Sequence, residues 1–201
     1  MSESEEMQNT SVHASRTTRE TEIEVTLDLQ PSERLLIDTG VPFFDHMLHA
    51  MAFHGGFTLH VGAKGDLEVD AHHTVEDVGL VLGDTLRQLS AQELPRARYG
   101  FAVIPMDDAL SEVAVDASGR PYLVYHADLP QPWIGSFDVS LVREFLQGLA
   151  VRAGINLHAR CRYGENSHHM IEALFKALGK ALSAAYAPTD DASVRSTKGT
   201  L

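Results

Sequence analysis

Two pairs of adjacent histidines stand out in this chain of 201 residues, because each pair is followed by a glutamate at the same spacing. Residues 72–76 read HHTVE and residues 168–172 read HHMIE. On a helix, residues i and i+4 lie on one face, so the first histidine and the glutamate of each cluster could chelate one ion. A set of imidazole and carboxylate ligands without thiolate suits Mn, Fe, Co, Ni or Zn, and does not single out one of them.

The second histidine of each pair faces a different direction from the first. Adjacent side chains on a helix project about 100° apart, since roughly 3.6 residues make one turn. The two histidines of a pair therefore cannot easily bind the same ion, and two ions or two subunits would have to divide them. The competing interpretation is a polar patch at a helix N-terminus, where the helix dipole also favours a glutamate. Recurrence of the whole cluster favours the metal interpretation.

The histidine clusters belong to an internal repeat. The pattern HHxxEx5LGxxL recurs at an offset of 96 residues, and an upstream GxxLH pattern recurs at an offset of 98. At the second offset, the helix that carries His46 aligns with the helix that carries Glu144. The repeat predicts two pseudo-equivalent half-domains of sheet and helices. It also predicts eight metal ligands, four for each of two ions: His46, His72, His73, Glu76, Glu144, His168, His169 and Glu172.

Hydrophobic periodicity predicts the elements that must position these ligands. The strand at 21–29 is expected to form a hairpin with 34–40. The domain plan is a disordered arm over 1–15, half-repeats over 16–95 and 96–186, and a polar tail over 187–201, all within one compact domain. The remaining predicted strands are 57–64, 66–70, 100–106, 109–118, 121–129 and 154–163, and the predicted helices are 42–54, 73–92, 138–153 and 166–186, with Asp138 and Asn166 or Ser167 as N-caps.

Composition and charge exclude several classes of protein. A formal net charge of −12 argues against a nucleic-acid partner, which needs a basic face. No apolar stretch is long enough for a membrane span, and no signal peptide heads the chain. The lone Cys161 suits a reducing cytoplasm, where we expect the protein to reside. Neither a Walker loop nor GxGxxG is present, so a nucleotide-binding fold is not indicated.

A few cationic and polar residues could bind an anionic substrate. Arg98 follows a loop, Arg120 lies in an SGRP turn and Lys198 lies in the terminal STKG. Each could bind phosphate, and each could equally be a solvated surface charge. His54 lies at the end of the predicted helix 42–54, near the expected metal ions, and could touch the substrate.

Several long motifs follow one another along the chain: DTGVPFFDHML, HGGFTLHVGAKGDLEVDAHHTVEDVGLVLG, IPMDDAL, DASGRPYLV, NSHHMIEALFKALGKAL and STKG. Together, and in this order, they resemble the imidazoleglycerol-phosphate dehydratase family. The resemblance runs from about Arg16 to the C-terminus. It implies an α+β fold of duplicated half-domains, with two four-stranded sheets and helices packed between them, like ribosomal protein S5 domain 2. It further implies two Mn(II) ions per active site and a homo-oligomer of 24 subunits built from trimers, with sites at subunit contacts.

The resemblance also assigns roles to individual residues. The eight candidate ligands match the family's metal ligands; the position of Glu144 is often His in the family, and Glu is a competent ligand there. Glu20 matches an acid that contacts substrate, and it joins His72, Glu76, His168 and Glu172 as the expected catalytic residues. Two departures are visible, an unmatched N-terminal arm and Asp108 where Glu is usual, and both are expected to lie away from the metal ligands. The phosphate-contacting positions are matched by Arg98, Arg120, Ser196 and Lys198.

The activity that the resemblance implies is a dehydration in L-histidine biosynthesis. D-erythro-imidazoleglycerol phosphate would lose water from its diol and give imidazole-acetol phosphate, with metal ions as Lewis acids and a carboxylate such as Glu20 moving protons. Two other classes use the same ligands. A dinuclear metallohydrolase would hydrolyse a phosphate or an amide and need no imidazole in its substrate. A metal-binding shell protein without catalysis would need the ligands but not the cations.

Overall fold

The computed structural model describes residues 11–32, 34–92 and 94–189, which form two four-stranded sheets, one short hairpin and four helices. The first half contains β1 (Ser11–Thr17), β2 (Thr21–Asp28), β3 (Leu36–Asp38), α1 (Pro42–Gly55), β4 (Thr58–Gly65) and α2 (His72–Ala91). The second half contains β5 (Tyr99–Met106), β6 (Ala109–Asp116), β7 (Tyr122–His126), β8 (Trp133–Ile134), β9 (Phe137–Asp138), α3 (Leu141–Ala153), β10 (Asn156–Tyr163) and α4 (Ser167–Tyr186).

The two sheets have the same topology. Their strand orders are β1-β2-β4-β3 and β5-β6-β10-β7, and in each sheet only the last pair is parallel. Each half follows the order strand, strand, strand, helix, strand, helix, and the second half adds the β8–β9 hairpin before α3. The predicted α+β fold of duplicated half-domains is therefore confirmed.

The four helices lie between the two sheets. Helix α2 packs on β1 and β2, and α4 packs on β5 and β6. Contacts between the halves are made by helix pairs, α1 with α4 and α3 with α2. The strands present alternate residues to this layer, as in β2, where Ile23, Val25 and Leu27 are buried. Among the described residues, no helix is both long and apolar enough to cross a membrane.

Glycine at equivalent positions lets the helix pairs approach closely. A Cβ placed on Gly179 of α4 would lie 2.0 Å from the carbonyl oxygen of Met51 in α1. A Cβ on Gly83 of α2 would lie 2.8 Å from the carbonyl oxygen of Leu149 in α3. These contacts are related by the offsets of the internal repeat, so the duplication extends to the helix crossings.

We expect Gly179→Ala to destabilise the protein by roughly 1–3 kcal/mol, because the added methyl group would meet backbone that cannot rotate away. This cost should exceed the gain of up to about 1 kcal/mol in helix propensity. Denaturant unfolding would measure the change. Gly62→Ala is the matched control, because a Cβ there meets nothing within 4 Å. Equal stability of the two variants would contradict the close crossing.

Three predictions about the elements are wrong. Residues 11–15 belong to β1 rather than to a disordered arm, because this segment pairs with β2 residue for residue. The segment around β3 does not form a hairpin with β2; β1 and β4 already flank β2, and β3 pairs in parallel with β4 instead. Residues 66–70 form a turn that leads into α2 rather than a strand, with Asp70 Oδ1 accepting from the backbone N–H of His72.

The predicted start of α3 also needs correction. The helix begins at Leu141, and the side chain of Asp138 accepts a hydrogen bond from the backbone N–H of Ser140 before the first turn. The start of α4 is as predicted, with Asn166 as the N-cap. Residues 1–10 of the predicted arm and residues 190–201 of the predicted tail lie outside the described residues.

Candidate active site

Two histidines and a glutamate from both halves of the chain converge where α1 meets α4. The Nε2 atoms of His46 and His168 lie 3.3 Å and 3.1 Å from Oε2 of Glu172. One ligand atom from each of the three lies within 4.8 Å of the others, and the described residues contain no other such group of three histidine, cysteine or acidic residues. The carboxylate is buried, and His46 is half exposed. This arrangement can hold a divalent cation at a solvent-accessible position.

Local sequence explains the geometry of this group. Asn166 caps α4 by accepting a hydrogen bond from the backbone N–H of His168, which places that histidine in the first helical turn. Glu172 follows four residues later on the same face. Close packing at Gly179 then brings α1 alongside, with His46 opposite the carboxylate.

Lys176 is a neighbour of this group that sequence reasoning missed. Its Nζ lies 2.8 Å from Oε1 of Glu172, one helical turn away, and its side chain is largely buried. Burial raises the pKa of Glu172, but the hydrogen bond and charge of Lys176, together with His46, outweigh it and the net pKa is lowered. Glu172 is therefore held as a carboxylate. The i to i+4 spacing on α4 was the available signal.

The first cluster is more open than the second. Nε2 of His72 lies 3.4 Å from Oε2 of Glu76, and both side chains are more than two-fifths exposed. Glu144 hydrogen-bonds the guanidinium of its neighbour Arg143 at 3.3 Å. It lies at the same end of the α2–α3 pair as Glu76, since the adjacent helical turn at Gly148 approaches the Glu76 carbonyl. The structure does not bring Glu144 into a three-residue group with His72 and Glu76 among the described residues.

The second histidine of each pair is held by an aspartate. Nδ1 of His73 lies 3.0 Å from Asp66, and Nδ1 of His169 lies 2.6 Å from Asp108. These hydrogen bonds are the largest cause of the raised pKa of each imidazole. A proton on Nδ1 leaves the Nε2 lone pair available to a metal, which is how carboxylates commonly orient metal-binding histidines.

Asp108 corrects the expectation that the unusual residue lies away from the metal ligands. It contacts His169 directly, and it also accepts from the backbone N–H groups of Glu165 and Asn166. The hydrogen bond from His169 is the largest of the contacts that hold the pKa of this carboxyl well below its usual range. Asp108 is therefore a carboxylate that connects the β5–β6 turn to the start of α4.

Glu20 lies beside the candidate ligand His73, whereas His54 does not lie beside His46, contrary to what the sequence had led us to expect. Glu20 occupies the β1–β2 turn, with Oε2 3.8 Å from Nδ1 of His73, and its side chain is 58% exposed. His54 lies at the far end of α1 from His46. Burial, followed by the positive charges of Lys176 and Lys180, lowers the pKa of His54. His54 is thus kept neutral and able to accept a hydrogen bond.

Of the phosphate candidates, Arg98 lies away from the metal group of the same chain. Nε and Nη2 of Arg98 bind the carboxylate of Asp116 at 2.7 Å and 3.1 Å, and its backbone N–H bonds the carbonyl of Ala185. At about 1.5 Å rise per residue, Ala185 lies roughly 25 Å along α4 from His168. Arg120 is exposed in the turn between β6 and β7. Ser196 and Lys198 lie outside the described residues.

The fold and the site together define a duplicated α+β protein with imidazole and carboxylate ligands at the N-terminal ends of paired helices. Residues 39–182 match the family model of imidazoleglycerol-phosphate dehydratase. The chain therefore belongs to the imidazoleglycerol-phosphate dehydratase family, a family of hydro-lyases.

Relatives support the same conclusion over nearly the whole chain. The imidazoleglycerol-phosphate dehydratase of Limosilactobacillus fermentum is 53% identical over 188 residues, which cover 92% of this chain and 96% of that protein. The one from Anaeromyxobacter sp. (strain Fw109-5) is 54% identical, with coverage of 92% and 91%.

Solved structures from this family share the fold. The crystal structure of imidazoleglycerol-phosphate dehydratase from Staphylococcus aureus has a TM-score of 0.80 and 37% identity, and covers 89% of this chain and 100% of that chain. The Pyrococcus furiosus enzyme in complex with (S)-C348 has a TM-score of 0.81 and 41% identity, with coverage of 93% and 99%.

Proposed function

We propose that this protein dehydrates imidazoleglycerol phosphate to imidazole-acetol phosphate in histidine biosynthesis, using two Mn(II) ions per active site. Family membership supports the reaction. The convergence of His46, His168 and Glu172 is the observation that carries the metal dependence, because imidazole and carboxylate donors that meet within bonding range of one point suit a divalent transition metal.

The donor groups fit two ions, one for each of two sets of ligands that the internal repeat relates. His46, His168 and Glu172 would hold one ion, and the less compact set of His72, Glu76 and Glu144 would hold the other. When bound, the ions would supply Lewis-acid polarisation of the imidazole and diol of the substrate. His73 and His169 would complete the coordination through Nε2, since their Nδ1 atoms face aspartates.

The chain's own residues bind the substrate and move its protons. Glu20 is exposed beside His73 and is placed to take or return a proton on the glycerol chain. Lys176 keeps Glu172 ionised. The side chains of Arg98, Arg120 and Lys198 hold the phosphate, and this fixes the position of the diol relative to the two histidine pairs.

Within the described residues of one chain, only three donors meet at one point, which supports an active site at subunit contacts. Each site has three donors drawn from both halves of the chain, and the second histidines project about 100° away from the first. Arg98 lies roughly 25 Å from the nearest metal group of its own chain, measured along α4. Another subunit would supply the missing groups, in a homo-oligomer that we propose has 24 subunits built from trimers.

Turnover of imidazoleglycerol phosphate by Mn-loaded protein tests this function. We expect imidazole-acetol phosphate as the product, and no reaction with glycerol 3-phosphate, which lacks the imidazole. Release of inorganic phosphate from either compound would favour a metallohydrolase instead. A protein that binds metal but turns over neither compound would favour a metal-binding shell protein.

Replacing Arg98 or Arg120 by Ala should weaken substrate use, because each change removes a charge-assisted contact to phosphate. The expected loss is about 2–4 kcal/mol in transition-state binding, measured as lower kcat/KM. Asp116→Asn is the control for Arg98, since it disturbs the Arg98–Asp116 pair but keeps the guanidinium. Wild-type kinetics in both alanine variants would refute the phosphate assignment.

A further inference from the structure

Asp77 is a buried acid on α2 that the proposed chemistry does not use. Its side chain is only 12% exposed, on a helix that packs against β1 and β2. It follows His73 by four residues, so the two lie on one face of α2. That face is turned toward β1 and β2, whereas His72 and Glu76 lie on a neighbouring face.

The two oxygens of Asp77 bind the two strands that flank the turn of Glu20. Nε of Arg16, near the end of β1, donates to Oδ1 at 3.0 Å. The hydroxyl of Thr21, the first residue of β2, donates to Oδ2. Both acceptor atoms of a buried carboxylate are therefore occupied by the same hairpin, which anchors the end of that hairpin to α2.

The turn between these strands is itself closed by hydrogen bonds. The Thr18 hydroxyl accepts from the backbone N–H groups of Glu20 and Thr21, and the Thr18 N–H bonds the Thr21 carbonyl at 2.8 Å. The backbone carbonyl of Glu20 accepts from the N–H of Asp66, which in turn contacts His73. The position of the Glu20 carboxylate relative to His73 thus depends on where the hairpin is attached.

The second half lacks this attachment. The residue equivalent to Asp77 at the offset of 96 is Ala173. There the corresponding turn, between β5 and β6, is held by Asp108 itself, which bonds His169 at 2.6 Å. The second turn carries two acids: Asp108 binds His169, and the exposed Asp107 has Oδ2 3.8 Å from Nε2 of His169, the same distance as between Glu20 and His73.

From the attachment of both Asp77 oxygens to this hairpin we infer that Asp77 is a positioning residue for Glu20: it anchors the β1–β2 hairpin so that the Glu20 carboxylate is presented beside His73. This inference rests on the proposed role of Glu20. A carboxylate that must transfer a proton loses rate quickly when it is displaced, since about 1 Å of misplacement can cost on the order of 100-fold.

A double-mutant cycle between Asp77→Asn and Glu20→Gln tests the inference, with kcat, KM and thermal stability measured on the Mn-loaded assembly. Glu20→Gln should lower kcat by about 10²–10⁴-fold. Asp77→Asn should lower kcat by roughly tenfold or more with little change in KM or metal content. In the Glu20→Gln background, Asp77→Asn should cost nothing further in kcat but should still lower the melting temperature.

Asp84→Asn is the matched control, because Asp84 lies on the same helix and pairs with Arg152 at 2.8 Å, away from the hairpin. It should lower stability and leave kcat unchanged. If Asp77→Asn does not fold, Thr21→Val and Thr21→Ser give the same test. Thr21→Val should lower kcat only when Glu20 is present, whereas Thr21→Ser, which keeps the hydroxyl, should leave kcat unchanged.

Two outcomes would overturn the inference, and they differ in whether the proposed role of Glu20 survives. Equal losses of kcat from Asp77→Asn with and without Glu20 would leave Asp77 with a purely structural role, while the role of Glu20 stood. A wild-type kcat in Glu20→Gln would refute the proposed role of Glu20 itself, and it would therefore refute the inference as well.

Discussion

Exhaustive chelation should reduce dehydration by this protein to background, a loss of about 10³-fold or more, since Lewis-acid stabilisation is worth several kcal/mol. His46, His168 and Glu172 would remain in place but offer only a weak hydrogen-bonding site. The rate should be measured beside the metal content. Stripping should also weaken the assembly, which sedimentation would show, because the ligands of each site would be left as uncompensated polar groups.

Adding ions back separates metal chemistry from damage to the protein. Mn should restore both the rate and the assembly, whereas Mg should restore little, because magnesium prefers oxygen ligands and this set contains imidazole. A wild-type rate in protein from which all transition metal has been removed would contradict the two-metal proposal.

Glu144→Ala should lower the metal content of the purified protein and reduce activity by orders of magnitude. The internal repeat aligns Glu144 with His46, and the family resemblance places a ligand at the same position. The structure pairs it with Arg143 on a partly exposed surface of α3. Exposed pairs of that kind contribute about 0–1 kcal/mol, so the loss of such a pair alone would hardly affect the rate.

Two further variants distinguish the interpretations of Glu144. Glu144→His should keep much of the metal and activity, because imidazole is also a good ligand for these ions. Arg143→Ala removes the same surface pair from the other side and should leave the rate unchanged. Full metal occupancy and a wild-type rate in Glu144→Ala would show that Glu144 is a surface residue that binds no metal.

The sequence by itself determined the features that arise from local geometry. The spacing in HHxxE places the first histidine and the glutamate on one helical face, whatever the rest of the chain does. Alternating apolar residues identified β2, and caps and periodicity identified α1, α2 and α4. The repeated patterns predicted two equivalent half-domains, because a duplicated segment buries the same faces in both copies.

Polar edges and turns were predicted poorly. The segment that forms β1 has little apolar periodicity, and it becomes a strand because β2 offers it a complete ladder of hydrogen bonds. Residues 66–70 alternate like a strand, yet the side chain of Asp66 binds the ring of His73 and that of Asp70 accepts from the backbone N–H of His72. In both segments, bonds to distant residues or side chains outweighed the local pattern.

Only the tertiary structure decided which distant side chains meet. His46 and Glu172 are 126 residues apart, and they approach because α1 and α4 cross at Gly179 without a side chain between them. Contacts of Asp108 with His169, and of Asp77 with β1 and β2, arise in the same way. Local spacing determines the face on which a residue lies, but the partner opposite that face depends on helix crossings and strand pairing, which are properties of the folded chain as a whole.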